Sequence, residues 1–393
     1  MDRPLRIALI AHVRHPIAQP FQGGMEAHAF QLCHWLTQAG HEVTLFASGD
    51  SDAPGALVPL MQEHYDRHYP WHRFHATEVL TNLLDTAFAS ALPRLADFDV
   101  VHNNSLHRYP PRLSRRDRIP MVTSLHIPPF QALRQSVNDS AAPWCRFTVC
   151  SERQRDVWWP AGAPSSAHVL YNGIDTDSFT FQARGNGRAL WAGRITPNKG
   201  THLAVVAAAR AGIGLSIHGT IEHADYFENE VRPHLTEDIR YEGHSDMQHL
   251  AREMAQASVL LFTPLWEEPF GLVAAEAMAC GVPVAALANG ATAEVIGRGG
   301  VVAAAETGEA DTAEALATAI RQALRLDRRA VHDWATSRYG KRRMVENCVA
   351  LYRTAMAQRD APAGEVAFGQ SDLPGDLPGD LPGGGVDLGR SAA

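Results

Sequence analysis

The chain has 393 residues, of which 45% are hydrophobic and 20% are charged. This length is too great for one ordinary core and predicts two compact domains, with one domain and a long disordered arm as the alternative. The composition excludes a wholly disordered or fibrous chain. The 35 Lys and Arg residues against 43 Asp and Glu residues give a net charge of -8. That balance excludes a general nucleic-acid binder, because such proteins neutralise phosphates with an excess of basic side chains.

The N-terminal sequence MDRPLRIALIAHVRHP contains no targeting pattern, because its apolar run is too short for a signal peptide and no small-residue cleavage site follows. No run of roughly 18 apolar residues predicts a membrane-spanning helix. The five cysteines include no Cys-x-x-Cys pair, so we expect reduced thiols rather than a disulfide framework or a zinc site. A cytoplasmic protein is therefore expected.

The first half of the chain alternates short apolar runs with longer amphipathic ones. A helix is predicted from Met25 to Gly40, where the glycine ends it, and a second near 77–97. The alternation is typical of a parallel sheet with helices on both faces, and predicts a first Rossmann-like domain over 1–170. The predicted strands are RIALIAH, HEVTLFAS, DVVHNN, PMVTSLH and RFTVCS.

The same pattern restarts after the turn-rich stretch QARGNG and predicts a second Rossmann-like domain over 171–340, with the hinge within 163–187. Its strands are predicted at ALWAGRI, GLSIHGT, DIRYEG, SVLLFTP and VPVAAL, and its helices near 199–211, 225–235, 246–257 and 271–280. Residues 341–358 predict an amphipathic helix that packs back on the first domain. Residues 359–393 repeat DLPG three times and predict a disordered tail.

A glycine pair, Gly23-Gly24, precedes the first predicted helix. The unpaired N–H groups of a helix start, together with the helix dipole, can hold an anion there. No G-x-G-x-x-G sequence follows the first strand, which argues against a nicotinamide or flavin enzyme. For two adjacent glycines taken alone, a flexible turn without a ligand is the simpler interpretation.

The stretch WAGRITPNKG follows a predicted strand and places Arg194 and Lys199 at the carboxyl edge of the second sheet. The order of its lysine and glycines differs from that of a Walker loop. A guanidinium and an ammonium at this edge suit a diphosphate leaving group, whose charge must be neutralised. Solvated surface residues are the alternative.

The segment EEPFGLVAAEAMACGVPV carries two carboxylates at different levels of one crevice. Pro269 and Gly271 keep Glu268 off the helix, and Glu276 lies about one turn inside it. Carboxylates accept hydrogen bonds from sugar and ribose hydroxyls, and the N–H groups at the helix start suit a phosphate. The alternative is that Glu268 is a surface residue and Glu276 pairs with a lysine.

These motifs, in this order, resemble the family 4 retaining glycosyltransferases of GT-B fold. The resemblance covers about residues 5–358 and rests on GGMEAH, NGID at 172–175, GRITPNKG, the E-x7-E arrangement from Glu268 to Glu276 and GATAEVI at 290–296. Within this family the sequence looks most like a bacterial UDP-glucose-type branch, in the segments TLFASGDS, DYFENEVRPHL, RYEGHSD and EEPFGLVAAEAMACG. The family fold implies two Rossmann-like, doubly wound domains that face an interdomain cleft.

The resemblance implies a role for each motif in binding the donor. It implies that Arg194 and Lys199 bind the diphosphate and stabilise the departing nucleoside diphosphate, and that Glu276 accepts from the ribose hydroxyls. A carboxylate and the backbone of the helix start are implied to grip the donor sugar, namely Glu268, Phe270, Gly271 and Leu272.

The first domain contributes two further implied contacts. Gly23 and Gly24 are implied to approach the diphosphate from the opposite domain. His126, in TSLHIPPF, matches the histidine that the family places near the donor sugar and acceptor. A histidine that caps a strand without a catalytic role is the alternative for His126.

No metal is predicted. Asp-x-Asp strings begin at residues 50, 97 and 175, and a pattern found three times in one chain is not specific. Three histidines at 64, 68 and 72 have helical spacing, but Pro70 interrupts that helix and no carboxylate or cysteine completes a site. The neighbouring aromatic side chains form either an acceptor wall or ordinary packing; they are Tyr65, Tyr69, Trp71 and Phe74.

The sequence therefore predicts retaining transfer of a hexose, expected to be glucose, from a nucleoside diphosphate sugar, expected to be UDP-glucose. The acceptor is expected to be a hydroxyl of a small molecule or carbohydrate. No cofactor and no nucleic-acid partner are expected, and the arginine-rich stretch 108–118 is interpreted as a solvated loop rather than a membrane contact. A silent sugar-nucleotide-binding module and a GT-B epimerase or phosphorylase are the alternatives.

Overall fold

The computed structural model describes residues 3–305 and 308–362. Within these ranges the chain forms two compact units. Unit 1 contains the chain up to Cys150, the segment Arg155–Leu170 and the chain from Val345; unit 2 contains Ser151–Gln154 and Tyr171–Met344. Most of the predicted tail, from residue 363 onward, lies outside the described residues.

Unit 1 is built on a parallel sheet of seven strands. In chain order they are β1 (Arg6–Ala11), β2 (Glu42–Ser48), β3 (Ala56–Met61), β4 (Val100–Asn104), β5 (Met121–Leu125), β6 (Cys145–Val149) and β7 (Ala167–Val169). Their order in the sheet is β3-β2-β1-β4-β5-β6-β7. Every residue of β4, β5 and β6 is buried, as expected for parallel strands that are covered on both faces.

The helices that follow these strands are α1 (Gly24–Gln38), α2 (Trp71–Phe74), α3 (Glu78–Ala91), α4 (Tyr109–Asp117), α5 (Gln131–Ser140) and α6 (Glu152–Trp158). The chain leaves α1 through Gly40, whose φ of +89° is the left-handed conformation that glycine adopts without strain. The predicted end of this helix is therefore confirmed. Thr77 caps the start of α3, and its side chain accepts a hydrogen bond from the Leu80 N–H.

Unit 2 has a second parallel sheet, formed by β8 (Arg188–Ala192), β9 (Gly214–His218), β10 (Ile239–Gly243), β11 (Val259–Phe262), β12 (Val284–Leu287) and β13 (Gly300–Ala303). The order is β10-β9-β8-β11-β12-β13. Its helices are α7 (Thr201–Ala211), α8 (Ala224–Tyr226), α9 (Met247–Gln256), α10 (Leu272–Ala279), α11 (Thr292–Ile296), α12 (Glu309–Ala323) and α13 (Arg328–Tyr339). Two parallel sheets with flanking helices confirm the predicted fold class.

The last described helix, α14 (Lys341–Ala357), reaches the sheet of unit 1. The hydroxyl of Tyr352, a residue of this helix, lies 2.6 Å from Nδ1 of His102 in β4, and both side chains are buried. The C-terminal part of α14 is therefore part of the core of unit 1. None of the helices in the described part of the chain is both long and apolar enough to cross a membrane.

The expectation of a solvated loop over 108–118 is wrong, because most of this stretch is the helix α4. Tyr109 and Leu113 are buried and give the helix an apolar face, which the sequence interpretation neglected in favour of the charges. The guanidinium of Arg108 binds both oxygens of Asp85 at 2.7 and 2.6 Å. The charge of Arg108 is thus neutralised by a carboxylate within the fold.

The predicted helix near 225–235 is also only partly correct. α8 lasts one turn, and it is followed by a π-helical turn over Phe227–Val231 and a 3-10 turn over Arg232–His234. Pro233 lacks the N–H that a continuing helix requires. The edge strand β3 was not predicted, since Pro59 interrupts its apolar pattern.

Candidate active site

The loop between β11 and α10 is shaped by one glycine. Gly271 has a φ of +88° and immediately precedes α10. A Cβ at this position would lie 2.7 Å from Cζ of Phe262, so that both the backbone conformation and the close packing require glycine. Glu268 consequently stays in the loop while Glu276 lies in the helix, as the sequence predicts.

Glu268 is buried, with 7% of its surface exposed. Its Oε2 atom accepts two hydrogen bonds, from Nζ of Lys199 and from Nε1 of Trp266, each at 2.8 Å. Its backbone carbonyl accepts from the N–H of Ala291 at 2.8 Å. A Cβ on Gly290 would lie 2.3 Å from the Glu268 backbone, which explains a glycine in the GATAEVI motif. The carboxylate is therefore held in one orientation, and its Oε1 has no partner among the described side chains.

Lys199 ends a 3-10 turn, Pro197–Lys199, that follows β8. Its backbone carbonyl accepts a hydrogen bond from the hydroxyl of Thr263 at 2.8 Å, which ties this turn to the end of β11. Its ammonium nitrogen lies 4.8 Å from the centre of the Trp266 ring, a cation–π contact. The structure thus brings together two side chains that the sequence predicted separately, Lys199 and Glu268.

Arg194 lies on the same loop as Lys199 but has a different partner. Its guanidinium is 2.9 and 3.1 Å from the two oxygens of Glu222, and both side chains are about 40% exposed (41% and 40%). The backbone just before Arg194 packs closely against Gly219, where an added Cβ would lie 1.7 Å from the Gly193 carbonyl oxygen, so position 219 requires glycine. An exposed ion pair of this kind contributes little to stability, so the guanidinium is free to exchange Glu222 for another anion.

Glu276 projects from α10 and is half-buried. Burial raises the pKa of its carboxyl group to about 7. No lysine pairs with it in the part of the chain that the structure describes, in contrast to the purely structural alternative. A carboxyl group with this pKa exchanges its proton near neutral pH, and its ionised form can accept hydrogen bonds from hydroxyl groups.

Phe270 and Leu272 flank Gly271 at the start of α10. The Phe270 ring is buried and lies 5.3 Å from the ring of Tyr339 and 6.3 Å from that of Tyr171, measured between centroids. Its side chain therefore belongs to the core, which leaves its backbone as the part suited to a ligand. As at any helix start, the first N–H groups have no acceptor within the helix.

In unit 1 an acidic side chain occupies the start of α1. Oε2 of Glu26 lies 3.1 Å from where a Cβ on Gly23 would be, and Oε1 lies 3.3 Å from Nε2 of His12. Burial alone would raise the pKa of Glu26, but the hydrogen bond and charge of His12 hold it at about 2. The anion found at this helix start is the protein's own carboxylate, and a donor contact by Gly23 and Gly24 stays a prediction.

His126 directly follows β5 and is half-buried. Its Nε2 lies 3.2 Å from Oδ1 of Asn104, and its ring centroid lies 4.3 Å from that of His28 in an edge-on contact. Burial, followed by the nearby His102 and His12, lowers the pKa of His126 to about 3. The imidazole is therefore neutral at physiological pH and can donate or accept one hydrogen bond at each nitrogen.

The aromatic segment after β3 is packed rather than open. Tyr65 is buried in the core of unit 1, and Tyr69, Trp71 and Phe74 pack partly buried against the same core. Arg14 lies 5.1 Å above the Trp71 ring. These contacts favour ordinary packing over an acceptor wall.

The sequence did not predict two residues that lie at this site, Trp266 and Glu222. Trp266 could have been suspected from its place beside Glu267 and Glu268, since an indole N–H often satisfies a buried carboxylate. Nothing in the sequence marks Glu222, because its contact with Arg194 depends on the conformations of two separate loops.

Two family models match the chain. The model described as Glycosyltransferase Family 4 matches residues 22–178, and the model described as Glycosyl transferases group 1 matches residues 179–341. Among curated proteins, D-inositol 3-phosphate glycosyltransferase 1 of Catenulispora acidiphila is 26% identical over 405 residues, which cover 90% of this chain and 96% of that protein.

Solved structures with the same fold include two glycosyltransferase-related proteins. AviGT4, a glycosyltransferase involved in avilamycin A biosynthesis, has a TM-score of 0.67 and 23% identity, covering 90% of this chain and 98% of that one. Anabaena Alr3699/HepE in complex with UDP-glucose also has a TM-score of 0.67, with 16% identity, and covers 89% of this chain and 100% of that one.

Proposed function

Because this chain belongs to the family 4 glycosyltransferases of GT-B fold, we propose that it transfers glucose from UDP-glucose to a hydroxyl group of a small-molecule or carbohydrate acceptor, with retention of anomeric configuration. The Lys199–Glu268 contact carries the proposal. It sets a cation for a diphosphate beside a carboxylate whose Oε1 can accept from a sugar hydroxyl.

The proposed reaction needs no covalent enzyme intermediate. The bond between the anomeric carbon and the diphosphate oxygen breaks while the acceptor oxygen bonds to that carbon on the same face, and the acceptor proton passes to the departing phosphate oxygen. Negative charge grows on the leaving group in this step. Lys199 and Arg194 would stabilise it, and removal of such preorganised charge commonly lowers turnover by about 100- to 1,000-fold.

The roles proposed for the remaining residues follow from their chemistry. The ionised Glu276 carboxylate would accept from the ribose hydroxyls, and the helix start at Phe270, Gly271 and Leu272 would donate N–H groups to the donor. His126 is proposed to contact the donor sugar and the acceptor hydroxyl as a neutral imidazole, in keeping with its lowered pKa.

The comparisons suggest which substrates to test first. The UDP-glucose in the HepE complex makes that nucleotide sugar the first donor, and the name of the Catenulispora protein makes D-inositol 3-phosphate the first acceptor. An uncharged sugar acceptor such as glucose provides the contrast, since a phosphate group is recognised by basic side chains or by backbone N–H groups that a neutral sugar does not need.

A thermal-shift panel of UDP-, GDP-, ADP- and dTDP-glucose tests the donor. A bound nucleotide sugar at 100 times its Kd stabilises the fold by about 2.7 kcal/mol, which is a measurable rise in Tm. We expect UDP-glucose to give the largest rise, and no rise with any of the four would refute the proposal.

NMR of the product's anomeric proton then distinguishes retention from inversion. Rates with and without EDTA test the expected independence from metal.

A further inference from the structure

Trp266 contacts both residues that carry the proposed donor site. It lies two positions before Glu268 and is half-buried. Its indole Nε1 donates to Oε2 of Glu268 at 2.8 Å, while the face of the same ring lies 4.8 Å from the ammonium nitrogen of Lys199. One side chain thus uses its edge to hold the carboxylate and its face to hold the cation.

The two contacts differ in what they fix. The N–H bond is directional and shares Oε2 with Lys199, so it fixes the carboxylate rotation and leaves Oε1 without a partner among the described residues. The ring face attracts positive charge without specifying which N–H groups point where. The Lys199 ammonium has three N–H groups and donates one of them to Glu268. It can therefore stay above the ring and still direct its other N–H groups at a phosphate.

We infer that Trp266 is a positioning residue with two separable tasks: its N–H aims Glu268 at the donor sugar, and its ring face seats Lys199 for the donor diphosphate. This inference rests on the proposed function. It implies that a change at Trp266 can weaken sugar recognition without weakening diphosphate recognition.

Two variants separate the tasks when the Kd values of UDP and UDP-glucose are measured by calorimetry. Trp266→Phe keeps an aromatic face but loses the N–H; we expect the UDP Kd to stay within about twofold and the UDP-glucose Kd to rise about tenfold, the usual effect of losing a hydrogen bond to a charged group. Trp266→Leu loses both features, so the UDP Kd should also rise, by about three- to tenfold.

Trp334→Phe is the matched control in unit 2. Arg338 lies 4.7 Å from the Trp334 ring, and the indole Nε1 of Trp334 has no hydrogen-bond partner among the described residues, so this variant loses no N–H bond and should bind both ligands as the wild type does. Tm values identify any variant that fails to fold, and Trp266→Phe alone still tests the aiming of Glu268 if Trp266→Leu does not fold.

The outcomes separate this inference from the proposed function. If wild-type protein binds neither UDP nor UDP-glucose, the proposed function fails and this inference with it. If wild-type protein binds both, but Trp266→Phe either binds them normally or weakens UDP and UDP-glucose by the same factor, only the role of Trp266 is overturned.

Discussion

Lys199 and Glu268 lie 69 positions apart in the sequence, yet the ammonium nitrogen of Lys199 is 2.8 Å from Oε2 of Glu268. The topology accounts for this contact. Lys199 follows β8 and Glu268 follows β11, and these parallel strands are neighbours, so both loops leave the sheet at its carboxyl edge. Ligands of open α/β sheets bind at this edge, so we expect this ion pair to have both a structural and a chemical role.

Removing one partner of this pair should separate the two roles. We expect Lys199→Ala to lower turnover by about 100-fold and the free energy of unfolding by about 2 kcal/mol, because the buried Glu268 carboxylate loses its counter-charge. The double variant Lys199→Ala, Glu268→Gln should recover most of the stability but none of the turnover, since a neutral amide needs no counter-charge. Urea unfolding and initial rates measure the two effects; recovery of turnover in the double variant would contradict the assignment.

Arg194 should behave differently, because its pair with Glu222 is exposed. We expect Arg194→Ala to lower turnover by about 100-fold while Tm falls by no more than about 2–4 °C, since exposed ion pairs contribute about 0–1 kcal/mol. Arg232→Ala is the control, because Arg232 forms a comparable exposed pair with Glu228 in the same unit. Normal turnover in folded Arg194→Ala would remove this residue from the site.

The alternation of strands and helices made both sheets predictable, and with them the loops at their carboxyl edges. Gly271 and Pro269 likewise made it predictable that Glu268 stays off the helix. Proline lacks the N–H of a helix interior, and glycine readily adopts the non-helical conformation that ends a loop. Side-chain pairing was not predictable in the same way. Trp266 reaches Glu268 only because of the conformation of a loop. The helix α4 was not predicted either, because its apolar face, with Tyr109 and Leu113 buried, lies within a run of arginines.

The pKa of Glu276 leads to a pH-dependent donor affinity. Burial raises this pKa to about 7, so the carboxylate form grows as the pH rises through neutrality. Because an ionised carboxylate accepts hydrogen bonds more strongly than a carboxyl group, the Kd of UDP should fall by up to about tenfold between about pH 6 and pH 8. Glu276→Gln should lose this dependence, while exposed Glu314→Gln should keep it. Calorimetry at three pH values measures the slope, and equal slopes in wild-type protein and Glu276→Gln would contradict the role.

His126 should make the fold less stable in mild acid. Its folded pKa of about 3 lies below the usual value of 6.5, so between these values the unfolded chain binds a proton that the folded chain does not. The free energy of unfolding therefore falls as the pH falls through this range, by about 1.4 kcal/mol per pH unit for this group. His126→Gln should lose less stability than the wild type between about pH 6.5 and pH 5 in urea unfolding, whereas the exposed His68→Gln should follow the wild type. Parallel losses in all three proteins would show that His126 is not the group that titrates.

Gly271 offers a direct test of how backbone shape sets the site. Gly271→Ala places a Cβ 2.7 Å from the Phe262 ring and forces a φ of +88° on an L-residue, so we expect a loss of about 2–4 kcal/mol in unfolding free energy and weaker UDP-glucose binding as the Glu268 loop shifts. Gly212→Ala is the matched control, because Gly212 has a φ of +70° but no neighbouring atom within 4 Å of an added Cβ. It carries only the left-handed strain, about 1–2 kcal/mol, and should bind UDP-glucose normally. Equal effects of the two substitutions on UDP-glucose affinity would mean that the turn before α10 does not set the orientation of Glu268.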